Sequence, residues 1–194
     1  EDTLKIKNNY LNSGNSSGQY IPLFSRPSDS LFTPMMHDSD NYLAEQALLM
    51  AGMAYPGDMN DEKMIDSLLK SSLMKVTQKP KWVDGSGLSR YNLFTPKSFV
   101  YILEKMKNEF GMDRMKTILP TGGEGSLSNY FESAKGFIFA KSGTLSNNSA
   151  LSGFLYTQKG KLLIFSILLN HYPGKAAGAR HAMEKFLLNI RNSF

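Results

Sequence analysis

The chain has 194 residues, 41% of them hydrophobic, which suffices for one good-sized core in a globular domain. It contains no cysteine, and so excludes a disulfide framework and thiolate metal sites. The net charge of +5 raises nucleic acid as a partner, but the basic residues are interleaved with acids and apolar side chains and no nucleic-acid signature appears. A solvated basic surface is expected instead.

The first 25 residues differ from the rest. Asn8 to Gly18 is polar and turn-rich, flanked by short alternating runs, and reads as a hairpin or linker, the end of an inserted domain. From residue 26 onward the chain reads as a single domain. Pro27-Ser28-Asp29 starts a helix, and helical spacing follows over 40–53, 61–75, 96–109 and 112–118. Strand-like runs cover Gly136 to Thr144, Leu151 to Thr157 and Lys161 to Leu169, and a last helix spans about 177–192. Helices first and an antiparallel sheet later is an α+β pattern. The longest apolar stretch, Leu162 to Leu169, is of strand length, so no transmembrane segment is expected.

Two short strings carry chemistry. Ser39-Asp40-Asn41 stands at the N-terminus of a helix whose apolar residues fall at 43, 44, 47, 48 and 51. These are ordinary N-cap residue types, but a hydroxyl and a carboxamide on a fixed mount also suit proton relay and amide binding. Lys141-Ser142-Gly143-Thr144 ends the first strand-like run. It reads either as a plain strand-end turn or as an edge that offers backbone N–H groups, hydroxyls and a positive charge to an anionic peptide. His37, His171 and His181 show no metal spacing, and no cofactor is expected. Asp84-Gly85-Ser86-Gly87 is a tight loop with two glycines free to take positive φ.

Four strings occur in order: Ser39-Asp40-Asn41, Val83 to Asn92, Leu119-Pro120 with Gly125-Ser126-Leu127, and Lys141-Ser142-Gly143-Thr144. Together they resemble the class C low-molecular-mass penicillin-binding proteins, D-alanyl-D-alanine carboxypeptidase/endopeptidases of the penicillin-binding protein 4 type. The resemblance implies the C-terminal part of a penicillin-binding/serine β-lactamase-like transpeptidase domain. It implies a periplasmic or cell-envelope enzyme, without a metal, acting on peptidoglycan stem peptides and acylated by β-lactam antibiotics. Ser39 would relay protons, Asn41 would hold the acyl amide and Lys141 would orient charge. Ser142 and Thr144 would bind the substrate carboxylate, with Gly143 between them and the Thr144 N–H in the oxyanion hole. Ser142 replaces the family's usual threonine and keeps its hydroxyl.

Family members carry the nucleophile in a Ser-x-x-Lys motif far upstream of Ser-x-Asn. Thirty-eight residues precede Ser39, and none of them fits. A Ser-x-x-Lys at Ser72-Leu73-Met74-Lys75 follows Ser39 instead of preceding it, and reads as a solvated helix end with a chance match. The expectation is therefore a piece of a larger enzyme with its first motif missing, able to self-associate or to pair with the missing part. The alternative is a non-catalytic module that binds peptidoglycan peptides.

Overall fold

The computed structural model describes residues 26–194, and the hairpin expected over 1–25 lies outside the described residues. Six helices and three strands follow in order: α1 (Asp29–His37), α2 (Asn41–Ala54), α3 (Asp61–Lys70), α4 (Pro96–Phe110), α5 (Met112–Ile118), β1 (Ile138–Leu145), β2 (Asn148–Tyr156), β3 (Leu162–Asn170) and α6 (Ala176–Ser193). The strands form an antiparallel sheet in the order β1-β2-β3, with Lys141 opposite Ser152 and Thr144 opposite Ser149. The architecture is α+β, as the sequence pattern implies.

Strand alternation divides the core in two. Ile138, Ala140, Leu151 and Leu155 point to one face and pack on Met183 and Leu187 of α6. Phe139 and Phe154 point to the other face and pack on Leu103 of α4 and Met115 and Ile118 of α5. Each of these Leu, Ile, Phe and Met side chains contributes about 1.5–3 kcal/mol on burial, so helices on both faces hold the sheet. A third, smaller cluster joins Leu48 of α2 to Met64 and Ile65 of α3, with Trp82 beside them.

Two expectations shift in detail. Helical spacing suggested a helix to residue 75, but α3 stops at Lys70, where the Ser71 hydroxyl donates to the Ser67 carbonyl at 2.7 Å. Serine side chains compete in this way with helix continuation. The second strand begins at Asn148, three residues earlier than its apolar run, because Ser146-Asn147 forms a two-residue hairpin with Asn147 at φ 63°.

Candidate active site

Ser39 owes its position to the junction of two helices. The Asp40 N–H donates to the Met35 carbonyl at 3.2 Å, the six-to-one bond of a Schellman-type ending for α1. That motif needs its penultimate residue in the left-handed region, and Ser39 sits there at φ 56°. Asp40 then serves as N-cap of α2, its carboxylate accepting from the Leu43 N–H at 2.9 Å. Capping thus falls to Asp40 alone. The Ser39 hydroxyl and the exposed Asn41, the first residue of α2, are left for other partners.

Two further contacts fix this junction. Arg114 of α5 holds Asp29 of α1 with Nε and Nη2, at 2.9 and 2.8 Å. Gly125, at φ 48°, approaches so closely that a Cβ there would lie 2.7 Å from the His37 carbonyl oxygen. A glycine is required at that contact, and it seats the 125–127 turn against the end of α1.

The Lys141 ammonium donates to the Ser39 hydroxyl across 102 residues of sequence and to the Ser142 carbonyl at 2.9 Å. Lys141 is half-buried, and that burial lowers its pKa from the ordinary 10.5 to about 8. Among the described residues no carboxylate pairs with it. A lysine of this kind can exchange a proton with the hydroxyl it faces.

β1 is an edge strand of the described sheet. Its first half is covered, since Thr121 bridges to Phe139 and the Ala140 N–H donates to the Pro120 carbonyl at 3.1 Å. The two-residue alternation then turns the N–H groups of Ser142 and Thr144 the same way, toward the uncovered part of the edge. The same alternation puts the Ser142 and Thr144 side chains on the α6 face and Lys141 on the opposite one. Gly143 is exposed on the strand between them.

The 84–92 loop is organised by Asp84, whose carboxylate accepts from the N–H groups of Gly87 and Ser89 at 2.6 and 2.7 Å and from Asn92 Nδ2 at 2.9 Å. It is clamped to α2 by Glu45, which accepts from the N–H groups of Gly85 and Ser86, both at 3.0 Å. Only Gly87 takes positive φ, at 77°. Gly85 is needed for close approach instead, because a Cβ there would stand 2.7 Å from the Ala44 carbonyl oxygen.

The Ser72–Lys75 match falls in a turn after α3, with both residues exposed. A second match that sequence reasoning missed, Ser67-Leu68-Leu69-Lys70, lies on α3 itself. Its Lys70 is exposed and pairs with Asp66 at 2.5 Å, one turn back on the same helix. Sequence reasoning also missed Arg180 of α6, whose Nη2 donates to the Thr144 hydroxyl at 2.9 Å. The signal was its spacing: Arg180, Met183 and Leu187 fall on one helix stripe, and the last two are buried. Among the described residues no group of three or more His, Cys, Asp or Glu could hold a metal ion, and no helix is long and apolar enough to cross a membrane.

Residues 10–190 match the family described as D-Ala-D-Ala carboxypeptidase 3 (S13). The chain is 30% identical over 156 residues to the D-alanyl-D-alanine carboxypeptidase DacB of Haemophilus influenzae, covering 76% of this chain and 33% of that protein. It is 28% identical over 165 residues to the carboxypeptidase DacB of Mycolicibacterium smegmatis, with coverage of 79% and 35%. Its structure resembles Haemophilus influenzae penicillin-binding protein 4 complexed with a β-lactam. The TM-score is 0.72 at 29% identity, over 87% of this chain and 42% of the other. The chain therefore spans about a third of the length of the curated relatives it matches.

Proposed function

The chain belongs to the D-Ala-D-Ala carboxypeptidase 3 (S13) family, and we propose that it forms the C-terminal part of a serine-type D-alanyl-D-alanine carboxypeptidase/endopeptidase. Its substrates are peptidoglycan stem peptides in the cell envelope, and β-lactams acylate the serine that attacks them. The observation that carries this reading is the Lys141 to Ser39 hydrogen bond beside an open strand edge. Neither side chain has a structural need of the other: Asp40 caps the helix without the Ser39 hydroxyl, and β1 pairs with β2 through its backbone, without the Lys141 ammonium.

In this reading the peptide lies along the free edge of β1 as an added strand. Asn41 holds its acyl amide, and the hydroxyls of Ser142 and Thr144 take its terminal carboxylate. The Thr144 N–H is one donor to the oxyanion that forms on attack. Ser39 passes a proton to the departing amine, and Lys141, ready to give or take a proton near pH 8, supplies it. The attacking serine belongs to a Ser-x-x-Lys outside these 194 residues, since the two matches within them lie on or just after α3, one with a paired lysine and one solvent-exposed.

Labelled penicillin tests this, because an acyl-serine survives denaturation. The 194-residue chain should take no stoichiometric label, and a version extended upstream through the first motif should take one label per chain. In the extended version Ser39→Ala and Lys141→Ala should each slow acylation on the order of 100-fold or more. Stoichiometric label on the short chain, mapped by mass spectrometry to Ser67 or Ser72, would overturn the assignment of the nucleophile.

A further inference from the structure

Thr144 has a second partner that the motif does not contain. Arg180 comes from α6, on the far side of the sheet from Ser39 and Lys141. Its Nη2 donates to Thr144 Oγ1 at 2.9 Å, its guanidinium carbon stands 5.6 Å from the centre of the Tyr130 ring, and its Nε is buried without a partner. Ser142, Gly143, Tyr130 and Ser126 line a small pocket with it, and the Ser126 hydroxyl is also buried without a partner there. Among the described residues no carboxylate pairs with Arg180.

Two physical consequences follow. A hydroxyl has one proton to give, and an arginine that donates to its oxygen turns that proton away from itself. The Thr144 O–H is thereby aimed outward and polarised, which makes it a stronger donor to an anion. A fixed guanidinium with no counter-charge also adds positive potential at the Thr144 end of the strand edge, on the opposite face from the Lys141 ammonium.

We propose that Arg180 is a positioning and specificity-determining residue of this site. It orients the Thr144 hydroxyl toward the terminal carboxylate of the bound peptide, so that the site prefers a free carboxylate to a neutral chain end. This deepens the carboxypeptidase reading above and rests on it.

The test uses the 194-residue chain with N-acetyl-L-lysyl-D-alanyl-D-alanine and its C-terminal amide as probes, followed by NMR titration. The wild-type chain should bind the acid more tightly than the amide. Arg180→Gln should reduce that preference about tenfold, the scale of one charge-assisted hydrogen bond, while affinity for the amide and the unfolding midpoint stay unchanged. Arg180→Lys keeps the charge but not the planar fork, and should lose about threefold of the preference. It decides the matter should Arg180→Gln fail to fold. Wild-type preference in an Arg180 variant, with the preference lost in Lys141→Met, would reduce Arg180 to a staple between α6 and β1 and leave the carboxypeptidase reading standing. A wild-type chain that does not distinguish acid from amide would overturn both.

Discussion

Lys141 sets the pH behaviour of the site. Its folded pKa of about 8 lies below the ordinary 10.5, so the unfolded chain holds the extra proton between those values. Stability should therefore rise as pH increases from about 8 toward 10.5, and the full cost of burying the ammonium is present below pH 8. Lys141→Met should remove this slope and stabilise the chain at neutral pH, by on the order of 1–3 kcal/mol. Denaturant titrations of both proteins at pH 7 and pH 10 measure it, and equal slopes in the two would refute the assignment. Ser39 carries a similar tension, since a non-glycine residue at φ 56° costs on the order of 1 kcal/mol. A glycine would relieve that strain and lose the hydroxyl that meets Lys141.

At the level of elements, the mount of Asn41 is held by the 84–92 loop as well as by packing. Glu45 satisfies two backbone donors of that loop, so Glu45→Ala leaves both without their carboxylate and should cost about 1–3 kcal/mol. Gly85→Ala should be at least as damaging, because the new methyl would meet the α2 backbone at 2.7 Å. Gly87→Ala meets open space and bears only the positive φ, so its cost should stay near about 1 kcal/mol. Thermal unfolding of the three variants ranks them, and a Gly87 variant as unstable as the Gly85 one would contradict the clamp. The sequence showed most of these elements, because 3.6-residue and two-residue spacings follow directly from burying one face. Its failures are local. A serine hydroxyl ended α3 early, and polar Asn148 and Ser149 pair in β2 although they read as loop. Arg180 escaped because an arginine in a helix reads as a solvated charge, and only the tertiary position of α6 shows that its stripe meets the Thr144 face of the sheet.

Across the whole molecule, the packing is uneven. The sheet is sandwiched between α6 and the α1–α4–α5 helices, with Phe154 fully buried in β2, whereas α2 and α3 rest on the small cluster of Leu48, Met64 and Ile65. Amide exchange should accordingly be slowest in β2 and faster in α3 by two orders of magnitude or more, roughly 3 kcal/mol of local stability. Uniform protection would show instead that α2 and α3 unfold only with the sheet. The Ser39–Lys141 contact spans the boundary between these regions, so opening of α2 would break the site without melting the sheet.

The strand edge also works as a ruler. Pro120 and Thr121 occupy its first half, and the uncovered stretch runs from Lys141 to Leu145, about 16 Å at the usual rise per residue. A guest laid along it finds room for only a handful of residues before it meets a proline that presents no N–H. A long polypeptide is thereby refused, on this edge, the continuous ladder on which amyloid-like stacking depends, while a peptide of only a few residues has room to lie along it.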